Sequence, residues 1–235
     1  MQAKKVLGLI PARGGSKGIP KKNLYPIMGK PLLQYSFEAV KKSRFITDVM
    51  MSTEDSDIMN FANIWGVDTR YKRPDELATD SATTIDVVLH ALDWLEEIGE
   101  LPDLLILLQP TSPLRTEYEI DGAIEQFLES GCDSLVSVHK MLEHPYKCMQ
   151  VKDDGWEFLA KPASYVSRRQ DYKNDYFAIN GALYVVTPSF LREKRNFVVE
   201  GLTELYEISS IKGTDVDELA DIFQVEAYLK MASQQ

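Results

Sequence analysis

Short apolar runs alternate along this chain with longer stretches in which apolar positions recur every three to four residues. The runs at 6–10, 49–53, 104–109, 135–139, 182–186 and 205–209 read as buried strands. Between them, residues 31–43, 55–65, 85–97, 116–129 and 219–231 carry the spacing of amphipathic helices. Thr116, followed three residues later by Glu119, supplies a capping box for the fourth of these helices. Strand and helix in alternation predict an α/β domain, with a mostly parallel sheet and helices on both faces.

One region departs from the alternation. From 140 to about 179 the chain offers short polar pieces dotted with aromatics and no long helical period. Such a stretch is too long for a plain loop inside a compact domain. It is expected to be an excursion that carries part of a site, a subunit contact, or both. No repeat or flexible linker divides the chain, so a single domain over 1–235 with an insertion at about 140–179 is expected. No window approaches the roughly 20 consecutive apolar residues of a membrane span. The run after Lys5 is also too short for a signal peptide. A soluble, cytoplasmic protein without a membrane partner is the expectation.

The 44% hydrophobic content can fill a sizeable core, but charge changes the picture more. The formal net charge is −10, yet residues 1–44 hold ten Lys or Arg against the single acid Glu38, a local +9 that leaves −19 on the remainder. An acidic chain is a poor candidate for extended nucleic-acid binding, which draws its affinity from many phosphate contacts. A small polyanion held at one loop fits better.

That loop is IPARGGSKGIPKKN (10–23), directly after the first strand. In open parallel sheets, ligands bind beyond the carboxyl ends of the strands. Gly14, Gly15 and Gly18 let the backbone approach an anion and turn N–H groups toward it, while Arg13, Lys17 and Lys22 add charge. The spacing matches neither the Walker A nor the Gly-x-Gly-x-x-Gly pattern, so a P-loop NTPase or dinucleotide enzyme is not supported. Taken alone, the stretch also reads as a solvated basic loop with turn glycines. Cys132 and Cys148 sit in no metal-binding or disulfide pattern. His90, His139 and His144 stand in no nucleophile–base arrangement, which leaves covalent acyl catalysis unsupported.

The loop resembles the signature of the acylneuraminate cytidylyltransferases, enzymes that activate sialic-acid-like sugars with CTP. Further matches follow in order: RPDELATDSA (73–82), LLQPTSPLR (107–115), EHPYK (143–147), RRQ (168–170), NGALYV (180–185) and DVDELAD (215–221). The resemblance implies a Rossmann-like nucleotidyltransferase fold. It also implies transfer of CMP from CTP to the anomeric hydroxyl of a nine-carbon 2-keto sugar acid, with release of pyrophosphate. It further implies a homodimer in which the 140–179 lobe reaches toward the neighbouring subunit's site. Another sugar nucleotidyltransferase using a different NTP or sugar acid, or a nucleotide-binding module without catalysis, would share the loop.

Carried over position by position, the resemblance puts Ala12, Arg13, Ser16, Lys17, Asn23, Arg73, Ser81 and Gln109 at the nucleotide. It puts Gln109, Lys147, Arg168 or Arg169, and Asn180 at the sugar acid. Arg13, Lys17 and Lys22 would neutralise the triphosphate, with Lys17 stabilising charge on the α-phosphate and the leaving pyrophosphate. Gln109 ends a buried strand, and its amide can both donate and accept. Arg115 reads equally as a residue tied to the loop backbone, and Arg73 with Pro74 as an ordinary strand exit. On an extended segment residues two apart point the same way. Asp215 and Asp217 would thus present two carboxylates to one point, as suits Mg2+ (or Mn2+) shared with phosphate oxygens. Asp217 has an alternative reading as the cap of helix 219–231, and Asp221 reads as a partner of that helix's positive end. Many sialate-activating members carry an arginine two residues before the Asn-Gly pair, where this chain has Ala178. N-acetylneuraminate, legionaminate and related nine-carbon acids therefore all stay open.

Overall fold

The structure, a computed structural model, describes residues 4–161 and 175–233. Its strands are β1 (Val6–Pro11), β2 (Pro26–Ile27), β3 (Lys30–Pro31), β4 (Asp48–Ser52), β5 (Leu104–Leu107), β6 (Ser134–Lys140), β7 (Met149–Lys152), β8 (Gly155–Phe158), β9 (Phe177–Val186) and β10 (Glu204–Glu207). Its helices are α1 (Leu32–Lys42), α2 (Ser56–Ile64), α3 (Thr84–Glu97), α4 (Glu117–Ser130), α5 (Pro188–Lys194) and α6 (Leu219–Ala232).

Among the described residues the main sheet has the order β10-β6-β9-β5-β1-β4. β1 pairs parallel with β4 and β5, and β10 parallel with β6, whereas β9 runs antiparallel to both β5 and β6. Both faces of the central strands are apolar, as a doubly covered sheet requires. Val6 and Ile10 of β1 join Phe37 and Val40 of α1 and Ile124 of α4 on one side. Leu7 and Leu9 join Val88 and Leu92 of α3 and Leu191 of α5 on the other.

A third cluster matters most for the site. Ile19 and Ile27, from the basic loop and the short β2, are fully buried against Leu32, Leu114, Val216, Ile222 and Val225. The loop after β1 is thereby fastened to α6 and to the segment that precedes it.

The elements differ from the sequence-based expectation in a few places. β9 begins at Phe177 rather than 182, because its first half is partly exposed and carries a register shift against β6. The seven-residue α5, capped by Thr187 with Pro188 at its first position, is too short to show a helical period. The 140–179 region holds the hairpin β7–β8, all of whose strand residues are exposed, so no in–out alternation marked it. The capping box is present: the Glu119 carboxylate accepts from the Thr116 N–H at 2.8 Å and its hydroxyl at 2.7 Å. The cap of α6 is Glu218, paired with Asp221, and not Asp217.

Candidate active site

The loop after β1 is held in place before any ligand is considered. Ala12 is buried, and its N–H donates to the Ser52 carbonyl of β4 at 3.0 Å. Asn23 folds the far end back, its Nδ2 donating to the Arg13 carbonyl at 2.9 Å. The Gly14 N–H donates to Glu54 Oε1 at 2.7 Å, and a Cβ on Gly14 would lie 2.9 Å from the Cβ of Asp55, the cap of α2. A Cβ on Gly18 would collide with the Asp217 carbonyl oxygen. Protein neighbours thus add a second reason for glycine to the expected approach of an anion, and Gly15 and Gly18 line the cleft beyond β1. Gly14 and Gly18 answer to protein neighbours, and Gly15, with nothing within 4 Å of a Cβ, is the one that faces open space.

The basic side chains divide into anchored and available. Lys22 Nζ donates to the Val216 carbonyl at 2.9 Å and to Asp217 Oδ1 at 3.0 Å, and its side chain is only 15% exposed. Arg13 Nη2 lies 2.6 Å from Asp80 Oδ1, and Lys17 Nζ lies 3.0 Å from Asp80 Oδ2, with the Lys17 side chain 78% exposed. Arg73 is buried. Its Nε donates to Ser52 Oγ at 3.1 Å, its Nη2 to the Ser52 carbonyl at 2.7 Å, and its backbone N–H to Thr53. Burial lowers its pKa, and the charge of Glu54 opposes that shift.

The two aspartates owe their common direction to the residue between them. Val216 is fully buried, and its N–H donates to the Thr111 carbonyl at 2.8 Å, which leaves Asp215 and Asp217 facing out on the same side. Asp221 Oδ2 accepts from the N–H groups of Asp217 and Glu218 at 2.8 and 2.7 Å, so Asp221 serves the helix end, as expected, and Asp217 keeps its carboxylate for other partners. Asp215 opens onto the cleft, yet its pKa is raised. Loss of surrounding water is the largest cause; the charge of Asp217 and a carboxyl–carboxyl contact push the same way, against a hydrogen bond from Thr111. A pair of acids that favours a shared proton equally favours a cation. Among the described residues no group of three or more His, Cys, Asp or Glu could cage a metal unaided. That donor set fits Mg2+ or Mn2+, which bind through one or two carboxylates and substrate phosphates.

These groups converge on a cleft of about 610 Å³ beyond the carboxyl ends of β1 and β5. Arg13, Ser16, Lys17, Lys22 and Asn23 line it from the loop, Arg73 and Asp80 from the 73–82 segment, and Gln109, Asp215 and Asp217 from the segments after β5 and before α6. Ser81 lies between the lining residues Asp80 and Ala82, its hydroxyl 3.1 Å from that of Thr79. Gln109 Oε1 would sit 3.2 Å from a Cβ on Gly181, whose φ of +72° already favours glycine. Beside it, the buried Asn180 accepts from the Ser137 hydroxyl and the Ala182 N–H, while its Nδ2 has no hydrogen-bond partner among the described residues. Lys147 is exposed and does not line the cleft. Arg168 and Arg169 lie outside the described residues.

Arg115 proves to be internal. It is fully buried and donates to the carbonyls of Gln109 and Ala182 and to the Ser36 hydroxyl. Sequence reasoning missed Asp80 and Glu54 as site residues. Each is a carboxylate in a loop distant in sequence from the basic stretch, and only the fold brings it there.

The chain is similar to known proteins in sequence and in fold. The family described as cytidylyltransferase matches residues 7–230. A CMP-N,N'-diacetyllegionaminic acid synthase of Legionella pneumophila is 31% identical over 222 residues, covering 92% of this chain and 93% of that protein. An N-acylneuraminate cytidylyltransferase of Streptococcus agalactiae is 32% identical over 228 residues, covering 96% of this chain and 53% of that protein, so the chain spans about half of this relative. The solved structure of a CMP:2-keto-3-deoxy-manno-octonic acid synthetase complexed with CTP matches with a TM-score of 0.72 at 19% identity, covering 98% of this chain and 100% of that one. At that identity the likeness is one of fold.

Proposed function

The chain belongs to the cytidylyltransferase family, and from that premise we propose that it transfers CMP from CTP to the anomeric hydroxyl of a nine-carbon 2-keto sugar acid, releasing pyrophosphate. It is a nucleotidyltransferase. The observation that carries the finer reading is the convergence of Arg13 and Lys17 with Asp215 and Asp217 on one cleft. Cations and a paired-acid floor suit a triphosphate with its metal; they suit a sugar phosphate or a dinucleotide less well.

In this reading, Arg13 and Lys17 bind the β- and γ-phosphates, and Lys17 follows the charge that moves onto the departing pyrophosphate. Lys22 ties the loop to the Asp215–Asp217 segment, so that positive and negative walls keep a fixed separation. Asp215 and Asp217 would hold Mg2+ or Mn2+, which when bound neutralises phosphate charge and sharpens the electrophilic α-phosphorus. Ser16 and Asn23 border the phosphates. Arg73, clamped by Ser52, offers its remaining N–H groups to the base or ribose, beside Ser81 and the backbone of Ala12. Gln109 and Asn180 face the sugar, with Lys147, Arg168 and Arg169 assigned to its carboxylate by resemblance alone. The chain acts as one unit with the exposed β7–β8 lobe as its dimer contact. The exposure of Val151 (82%) and Trp156 (61%) supports that contact, and a monomer in analytical ultracentrifugation at micromolar concentration would rule it out. Among the described residues no helix is long and apolar enough to cross a membrane.

The primary test is pyrophosphate release with CTP and, in turn, legionaminate, N-acetylneuraminate, pseudaminate and 3-deoxy-octulosonate. Turnover is expected with at least one nine-carbon acid; release with UTP or GTP but not CTP would overturn the reading. Two further outcomes follow from local geometry. Gly18→Ala must push the loop off the Asp217 carbonyl and should weaken CTP binding on the order of tenfold or more. Gly15→Ala, with open space around it, should bind within about twofold of wild type; equal behaviour of the two in calorimetry would undo the account of Gly18.

Asp215 gives a pH-linked prediction. Its folded pKa lies above the unfolded one, so folding favours the protonated acid. The resulting penalty is absent below the ordinary carboxylate pKa, grows as pH rises, and is complete above the raised value. Asp215→Asn should therefore raise Tm at neutral pH, by roughly 1–3 °C for an exposed-edge group in a chain of this size, and leave it unchanged near pH 3. The same variant should lose the added thermal stabilisation that Mg2+ with CTP gives the wild type. A lower Tm at pH 7 would contradict the assignment.

A further inference from the structure

Among the described residues, Asp80 is the one carboxylate that meets both Arg13 and Lys17. It comes from the segment between the turn at Asp75–Ala78 and α3, distant in sequence from the loop. One oxygen lies 2.6 Å from Arg13 Nη2 and the other 3.0 Å from Lys17 Nζ. The contact therefore lies within the cleft, which all three residues line. The other two basic residues of the loop take no part: Lys21 pairs with Asp57, and Lys22 is held by Val216 and Asp217. The side chain of Asp80 is 48% exposed, so it is free to swing away into solvent. It is also held below the usual carboxylate range by the hydrogen bonds it accepts from Lys17 and Arg13, so at neutral pH it carries its full charge.

We propose that Asp80 is an internal counter-ion of the phosphate subsite: its carboxylate takes the two cations that the triphosphate would take, so nucleotide binding and the Asp80 contact exclude each other. The inference rests on the assignment of Arg13 and Lys17 to the triphosphate. Each Asp80 contact is an exposed ion pair and so individually weak. A triphosphate, with several charges and many acceptor oxygens, displaces it readily through charge-assisted hydrogen bonds. A ligand with one negative charge gains little over the carboxylate it must replace. Asp80 thus selects for highly charged phosphates against cytidine monophosphate and simple anions. It also keeps two like charges on one loop from facing each other uncompensated. After transfer, its return competes with pyrophosphate and speeds that product's departure.

The test is isothermal titration calorimetry of CTP and of inorganic pyrophosphate, with EDTA present so that no divalent cation contributes, on wild type, Asp80→Asn, Asp80→Glu and Lys17→Ala. Asp80→Asn should bind both ligands about three- to tenfold more tightly, the range expected for losing two exposed competing pairs. Its affinity should fall more steeply with added salt, because the subsite gains net positive charge. Pyrophosphate should become a stronger product inhibitor, and Asp80→Glu should return affinity toward wild type. Weaker or unchanged binding by Asp80→Asn would overturn the proposal, weaker binding pointing to Asp80 as a ligand contact in its own right. If wild type binds CTP and Lys17→Ala weakens it while Asp80→Asn changes nothing, the counter-ion idea alone fails. If Lys17→Ala is without effect on either ligand, the phosphate assignment fails, and this inference with it. Melting curves within about 2 °C of wild type, as expected for an exposed side chain, confirm that each variant is folded.

Discussion

Lys17→Ala should lower kcat by on the order of 10²-fold or more, the usual consequence of removing one preorganised charge from a site where negative charge develops. Lys17 is singled out by what the other cations are already doing. Lys22 spends its donors on Val216 and Asp217, so its loss would shift the architecture before the chemistry. Arg13 is fixed at both ends, its guanidinium paired with Asp80 and its own carbonyl accepting from Asn23 Nδ2. Lys17, exposed and bound to Asp80 alone among the described side chains, is able to follow a moving charge. If it serves the transition state, kcat and kcat/KM fall together. If it only binds the triphosphate, KM rises and kcat holds. Steady-state pyrophosphate release over a CTP titration separates the two, and a near wild-type kcat would take Lys17 out of the chemical step. Lys17→Arg should recover part of the loss, because the charge remains while the reach changes.

The strands that build this site were legible because a doubly covered sheet leaves an unbroken apolar run, as Val6–Pro11 and Leu104–Leu107 show. Direction was not legible. An apolar run looks the same either way round, so the reversal of β9 between β5 and β6 emerges only from the pairing. The hairpin β7–β8 did leave a signal, Asp154-Gly155, but its fully exposed strands gave no alternation to flank it. In the site, the pair Asp215 and Asp217 could be read from spacing because the buried Val216 between them enforces it. Asp80 and Glu54 could not. Their importance lies in reaching Arg13, Lys17 and Gly14 across sequence distance, and no local pattern encodes that.

Arg115→Ala should be the most destabilising of the substitutions considered, by about 3–5 kcal/mol, as when one side of a buried charged network is removed. The guanidinium is fully buried among Gln109, Ala182 and Ser36, and no carboxylate bonds to it among the described residues. Burial alone pulls its pKa down to about 10, with a distant Glu119 opposing. Such a group is costly to keep, and among the described residues its Nε has no hydrogen-bond partner. What it supplies is the joining of three elements: the end of β5, the middle of β9 and α1. Truncation opens a cavity, removes this donor from the Ala182 carbonyl and the Ser36 hydroxyl, and leaves the Gln109 carbonyl with the Ser112 N–H alone among the described residues. In a chain of this length that corresponds to a fall in Tm of about 10 °C. Arg115→Met separates charge from volume. It fills most of the space and removes the desolvation cost, so it should melt above Arg115→Ala. The Gln109 carbonyl would still lose its anchor, so sugar-acid KM should rise in both variants even where the fold survives. Equal melting of the alanine variant and wild type would mean that the three acceptors find water or other donors, and that Gln109 is held in place by Gly181 and the turn at Pro110 instead.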